Sequence, residues 1–171
     1  MAKAFFAAWQ ANNVTAMHND GTPSAVTAAQ AGRAGGTSGF VFSNCQGAAG
    51  STFCTWVKRG TSIVIQATNL QTPHLVTGFQ RNTLSAEDTA NQFFDGYREN
   101  NASVVAALAD APTATKAIGL ESHRNLLWVF QDCSGAAGSL FCTFTAGSSK
   151  LVIRVVQVNP PPQVGDITFT P

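Results

Sequence analysis

The sequence predicts an α+β fold of two tandem repeats, each a short helical layer packed on a four-stranded antiparallel sheet with a disulfide-bridged hairpin. Two segments 88 positions apart, FVFSNCQGAAGSTFCTW from Phe40 and WVFQDCSGAAGSLFCTF from Trp128, agree at 11 of 17 positions without a gap. A stretch of helical periodicity precedes each segment, and alternating apolar residues follow. We place the repeats at 1–80 and 86–171, with a short linker at 81–85.

The first segment of each repeat has the apolar spacing of an amphipathic helix. Four residues lie at i, i+3, i+4 and i+7: Ala2, Phe5, Phe6 and Trp9 in the first repeat, and Ala90, Phe93, Phe94 and Tyr97 in the second. Ser85 and Asp88 form a capping box before the second of these helices. The equivalent positions in the first repeat would precede Met1, so we expect the natural gene to continue upstream into an export signal.

Short helices are predicted after each amphipathic helix. The doublets Asn12-Asn13 and Asn100-Asn101 read as a break followed by an N-cap. Thr22-Pro23 starts a further helix by placing proline at its first position. After the glycine-rich stretch 32–39 the apolar period changes to two, which predicts four strands in each repeat. We place them at 40–46, 53–59, 62–68 and 74–80, and at 128–134, 141–146, 150–158 and 164–169.

The cysteines lie at matching positions on either side of a Gly-Ala-Ala-Gly-Ser turn. Folding the turn about its middle gives Gly50 a positive φ and sets Cys45 opposite Cys54, and Cys133 and Cys142 repeat the arrangement. Eight residues between cysteines is the wrong spacing for a zinc knuckle, and no histidine pair has ligand spacing. Disulfides are therefore favoured, with an extracellular or periplasmic location, while paired free thiols in a cytosolic protein are the alternative.

Composition excludes several classes of partner. The net charge is +1, charged residues make up 11% of the chain, and no basic run could neutralise successive phosphates, so nucleic acid is not expected to bind. No apolar stretch approaches the roughly 20 residues that span a bilayer. The surface is predicted to be polar but mostly uncharged.

The FFAAW helix followed by CxGAAGSxFCT resembles small exported bacterial proteins of uncharacterised function in the cystatin-like and nuclear-transport-factor-like group of α+β folds. The resemblance covers both repeats and implies secretion and a sheet that curls around a pocket or a partner. It transfers no catalytic residue. In architecture alone, two such units with one disulfide each are also similar to the secreted β-lactamase inhibitory proteins, which implies a continuous concave sheet facing another protein.

Candidate functional residues are few. Asp132 replaces Asn44, and Arg154 replaces Gln66, so this pair distinguishes the repeats; a cross-strand ion pair or a role in ligand binding would explain it. Trp56, Trp128, Phe144 and Phe79 are candidates for binding if the sheet surface is exposed, and otherwise form the core between helix and sheet. Tyr97, the one tyrosine, is interpreted as a core residue.

No motif indicates catalysis. His18, His74 and His123 have no equivalents across the repeat and no nucleophile beside them, and the sequence indicates no metal site and no cofactor. We therefore expect a secreted, non-catalytic binding module for a protein or a small apolar ligand. A structural subunit of an extracellular assembly, formed by self-association, is the alternative. An enzyme with a cone-shaped pocket, such as an isomerase or an epoxide hydrolase, is a third hypothesis.

Overall fold

The computed structural model describes residues 1–70, 72–157 and 161–171. Within these ranges, each repeat has three helices followed by four strands. The first contains α1 Ala2–Gln10, α2 Val14–Asp20, α3 Pro23–Ala31, a 3-10 turn at Gly32–Gly35, β1 Val41–Ala48, β2 Ser51–Lys58, β3 Thr61–Thr68 and β4 Val76–Thr83. The second contains α4 Ala86–Arg98, α5 Ala102–Leu108, α6 Ala111–Gly119, a 3-10 turn at Glu121–His123, β5 Val129–Ala136, β6 Ser139–Ala146, β7 Ser149–Val156 and β8 Gln163–Thr170.

The predicted helix starts are confirmed. The Asn13 side chain accepts from the Ala16 amide and the Asn101 side chain from the Val104 amide, so both asparagines are N-caps. The residue before each cap has a positive φ, 57° at Asn12 and 56° at Asn100, which ends the preceding helix. The capping box at the start of α4 is also present.

The two sheets are simple antiparallel meanders. The strand orders are β1-β2-β3-β4 and β5-β6-β7-β8, so each strand pairs with its neighbour in sequence. The predicted α+β class with two repeats is therefore confirmed. β4 continues three residues beyond its predicted end, to Thr83, so Leu84 and Ser85 separate it from α4. Residue 158, the predicted end of β7, lies outside the described residues.

Both predicted disulfides are present. Cys45 is bonded to Cys54 and Cys133 to Cys142, each across nine positions in sequence. Cys133 and Cys142 are also register partners on β5 and β6. The turns between these strands need two successive positive φ angles, which are 45° and 76° at Ala49 and Gly50 and 45° and 74° at Ala137 and Gly138. This is the turn geometry that matches the twist of a two-residue hairpin.

The core of each repeat lies between its first helix, α1 or α4, and its sheet. Phe6 stacks on Trp56 with ring centroids 4.4 Å apart, and the equivalent Phe94 stacks on Phe144 at 3.8 Å. One polar side chain of each of these helices bonds to a carbonyl near the end of the third helix: Trp9 Nε1 donates to the Ala29 carbonyl at 2.7 Å, and the Tyr97 hydroxyl donates to the Leu120 carbonyl at 2.8 Å. The interpretation of Tyr97 as a core residue is confirmed, because its exposed fraction is 1%.

The helical layer is joined to the last strand of each sheet by a short parallel bridge. Gly21 bridges Val76 in the first repeat, and Ala109 bridges Val164 in the second. The residues after them, Thr22 and Asp110, donate their amides to the carbonyls of the same valines. Because these bridges occur at equivalent positions, the duplication extends to the connection between helices and sheet.

The chain forms two compact units, Met1–Trp56 with Ser62–Asn82, and Val57–Thr61 with Thr83–Pro171. In the described part of the chain, no helix has the length and apolar character needed to cross a membrane.

Candidate functional site

The aromatic candidates from the sequence are buried. Trp56, Trp128 and Phe144 are 4%, 8% and 2% exposed, and Phe79 is 6% exposed. Their rings pack among the aromatic residues of α1 and α4. This placement favours the core interpretation of these four residues over a binding face. Asp132 on β5 and Arg154 on β7 are exposed.

The expected ion pair between Asp132 and Arg154 is wrong. Asp132 is the register partner of Thr143 on β6, whereas Arg154 is the partner of Phe141, also on β6. The two side chains are therefore separated by a whole strand and by two positions along it. Adjacent-strand partners have Cβ atoms about 5 Å apart, and this arrangement roughly doubles that separation.

An ion pair does form at the edge of the second sheet, between other residues. Lys116 Nζ on α6 lies 2.8 Å from Asp166 Oδ1 on β8. The hydrogen bond from Lys116 holds the pKa of the Asp166 carboxyl below its usual value, and the Ile167 amide adds a smaller effect in the same direction. Both side chains are about half exposed, so the pair connects α6 to β8 without being a buried site.

The start of β5 carries a cluster of exposed apolar side chains. Leu127 is 91% exposed, Val129 58%, Phe130 41% and Leu126 36%. β5 is the first strand of its sheet, so its outer edge has no partner strand within the described residues. We call Leu126, Leu127, Val129 and Phe130, together with the outer edge of β5, the β5 edge. Sequence reasoning missed this surface, although the run LLWVF at 126–130 signals it, since the first repeat has SGFVF there.

The equivalent strand of the first repeat is better covered. Lys3 Nζ lies 4.1 Å from the centroid of the Phe42 ring, as a cation–π contact. Phe42 corresponds to Phe130, but Asn91 stands in the second repeat where Lys3 stands in the first. Phe130 packs edge-on against Phe144 and is otherwise open on one side. The exchange of Lys3 for Asn91 is thus one of the differences between α1 and α4 that accompany the exposure of Phe130.

A small depression lies on the face of the first sheet that is turned away from the helices. It is lined by Phe53 of β2, Val64 and Gln66 of β3, and Gly78 and Gln80 of β4, and the space measures about 210 Å³ with its open mouth. Gln66 Nε2 donates to Ser51 Oγ at 3.1 Å, which fixes the direction of the amide. None of the five lining residues is ionisable. We call this feature the amide depression.

A second depression is an open groove on the helical layer of the first repeat. Six side chains of α2 and α3 line it: Val14, His18, Pro23, Val26, Thr27 and Gln30. His18 is exposed on this groove and has no carboxylate among its fellow lining residues. The groove therefore places an imidazole beside apolar surface but assembles no acid–base pair.

The titratable groups with shifted pKa values do not converge on either depression. Partial burial raises the pKa of the Asp95 carboxyl on α4, and the nearby Glu99 carboxylate raises it further. Burial also raises the pKa of the Tyr97 hydroxyl, which donates to the Leu120 carbonyl at 2.8 Å. Asp95 and Tyr97 are two positions apart on one helix, so their side chains do not face each other.

His123 is stacked on another ring. Its imidazole lies 3.8 Å from the Phe169 ring centroid, nearly parallel to it, while its backbone carbonyl accepts from Trp128 Nε1. His123 thus makes structural contacts with Phe169 near the end of β8 and with Trp128. Among the described residues, no group of three or more His, Cys, Asp or Glu side chains could hold a metal ion.

Comparison of the chain with known protein families, with curated proteins and with solved structures finds no match.

Proposed function

We propose that the protein is a secreted, non-catalytic interaction module that binds an extended segment of another protein at the β5 edge. The exposure of this edge carries the proposal. Four apolar side chains stand in sequence within five residues, and Leu127 is 91% exposed. Contiguous exposed apolar surface on a soluble protein marks an interaction site, and single scattered apolar residues do not.

An extended segment is the occupant that suits this surface. The outer edge of a sheet presents a row of backbone donors and acceptors, and an added strand can pair with them. Val129 and Phe130 are neighbours in β5 and so point to opposite faces of the sheet, with Phe130 on the face of Phe144, while Leu126 and Leu127 precede the strand. A partner strand with apolar side chains at its edge would find contacts on both faces.

The polar residues of β5 limit how far a bound segment can pair along the strand. The register shifts between Phe130 and Asp132, so Gln131 bulges out of the ladder, and Gln131 Nε2 donates to Thr145 Oγ1 at 2.9 Å. Bulges and charges are devices that end strand pairing at an edge. The favoured contact therefore covers residues 126–130 and ends near Asp132.

Secretion is supported by the two disulfides and by the resemblance to exported cystatin-like and nuclear-transport-factor-like proteins. Disulfides persist in oxidising compartments, which favours an extracellular or periplasmic protein. Three helical pieces followed by a four-stranded meander suit that fold group.

A structural subunit of an extracellular assembly is the second candidate. The same free edge could pair with a second copy of the chain, and a chain with 11% charged residues offers little electrostatic repulsion between copies. Light scattering with size-exclusion chromatography over a wide concentration range separates the two. If the size of the particles grows with protein concentration and Leu127→Lys abolishes this growth, the occupant of the β5 edge is a second copy of the chain and not another protein.

Binding itself is tested with a displayed library of random ten-residue peptides selected on the wild-type protein. We expect the selected peptides to bind the Leu127→Lys and Val129→Lys variants at least about tenfold more weakly, because a charge at the edge opposes strand addition. Leu70→Lys is the matched control, since Leu70 is 79% exposed in the first repeat.

Amide hydrogen exchange locates the bound peptide. We expect slower exchange of the amides around residues 126–130 in the complex, with the β1 amides unchanged. Equal binding to all three lysine variants, or protection confined to another strand, would contradict the proposal.

A further inference from the structure

We infer that the amide depression on the first sheet is a binding site for one edge of a neutral polyhydroxyl ligand, such as a sugar ring. This inference is independent of the β5 edge, which belongs to the second repeat. The chemistry of the five lining residues, the position of Gly78 and the comparison with the second sheet carry it.

The lining combines an apolar floor with amide groups. Phe53 and Val64 supply apolar surface from β2 and β3, and Gln66 and Gln80 supply amides from β3 and β4. A sugar ring has faces of C–H groups and a rim of hydroxyls. Since a primary amide both donates and accepts, two amides beside an apolar surface can satisfy hydroxyls that themselves donate and accept.

The orientation of Gln66 is fixed by the protein. Its Nε2 is occupied by Ser51 Oγ at 3.1 Å. Its Oε1 lies 3.2 Å from the point where a β-carbon on Gly78 would stand, so glycine at this position leaves the amide room to lie across β4. The carbonyl oxygen of Gln66 is thus held in the depression as an acceptor for a hydroxyl group.

Charge excludes other ligand classes. Without a cation or a carboxylate in the lining, the site offers no partner to a phosphate, a carboxylate or an ammonium group. The room inside it, about 40 Å³, is also far below the 300–1,000 Å³ of pockets that enclose drug-sized molecules, so only one edge of a small molecule can enter. The ligand is therefore small, neutral and held weakly, with a dissociation constant in the millimolar range.

The second sheet has the same scaffold without the site. The two apolar positions are identical in the second repeat, where Phe141 and Val152 correspond to Phe53 and Val64. The three polar or small positions change: Gln66 to Arg154, Gly78 to Asp166 and Gln80 to Thr168. Asp166 is engaged by Lys116. The duplication thus contains an internal control, in which the apolar floor is kept and the neutral amide pair is lost.

The test uses the full-length chain labelled with ¹⁵N, with methyl α-D-glucoside as the probe. We expect saturable shifts of the Gln66 and Gln80 side-chain amide signals at millimolar sugar. Gly78→Ala crowds the Gln66 amide and Gln80→Thr introduces the residue of the second repeat, so each should weaken binding about tenfold, the loss expected for one buried hydrogen bond.

Arg154→Gln in the second sheet is the matched control and should bind like the wild type. Gln80→Thr changes an exposed residue in the middle of β4, so it keeps the test valid if Gly78→Ala impairs folding. Shifts that rise linearly to 50 mM sugar, or saturable shifts that Gln80→Thr leaves unchanged, would overturn the inference.

Discussion

The two repeats share their internal structure and differ on their surfaces. Helix caps, left-handed asparagines, disulfide hairpins and the bridge to the last strand all recur 88 positions apart. The exposed edge occurs in the second repeat and the amide depression in the first. Packing constrains the interior because each change of volume costs free energy, while surface positions change at little cost. The differences between the copies are therefore the places to look for function.

The largest expected effect tests the shared interior. Replacing either cysteine pair by alanine should lower the free energy of unfolding by roughly 2.5–3 kcal/mol, because each bridge closes a loop of the same length in the unfolded chain. Guanidinium unfolding of the Cys45→Ala/Cys54→Ala and Cys133→Ala/Cys142→Ala variants measures it. Losses that differ by more than about 1 kcal/mol would show that the two hairpins are not energetically equivalent.

The next effect tests the difference at the first strand of each sheet. Lys3→Asn should destabilise the protein by about 0.5–1 kcal/mol, since it removes the ammonium group above the Phe42 ring. Asn91→Lys is the reciprocal exchange and should cover Phe130, raise stability by a smaller amount and weaken peptide binding at the β5 edge. Urea unfolding and the peptide assay measure the two effects. A neutral result for both exchanges would mean that these helix residues do not govern the exposure of the rings.

The smallest effect concerns the ion pair of the second repeat. Asp166→Asn should cost about 0.2–1 kcal/mol at pH 7 because the pair is exposed and screened. The folded-state pKa of Asp166 lies below its usual 3.8, so this stabilisation is present above that value and is lost as the pH falls through the lowered pKa. Urea unfolding at several pH values measures it, with Asp132→Asn as control. A difference that persists unchanged at the lowest pH would contradict the ion-pair explanation.

Local patterns in the sequence predicted most of the fold. Caps depend on a few neighbouring residues, so Asn13, Asn101 and Ser85 were identified from the chain alone. The paired cysteines fixed the hairpins, because a nine-residue separation around a Gly-containing turn leaves one simple register. The period-two pattern located all eight strands, although β4 ends later than expected.

The surfaces could not be predicted in the same way. The pairing of Asp132 with Arg154 failed because charge complementarity says nothing about which strands are neighbours, and β6 lies between the two residues. Alternation places Trp56 and Phe144 on one face of a strand, but cannot tell whether a helix covers that face. The amide depression draws residues from three strands, and its shape depends on the missing side chain of Gly78.

The meander order of the strands also has a kinetic consequence. Because each strand pairs with its neighbour in sequence, the described sheets need only short loops to close, and loop-closure entropy grows with loop length. Proteins rich in such local pairings fold faster than those that must join distant strands. The bridges from Gly21 to Val76 and from Ala109 to Val164 span 55 residues each, so they bring together distant parts of the chain. We therefore expect the sheets to form early, and the docking of each helical layer on its last strand to limit the rate of folding.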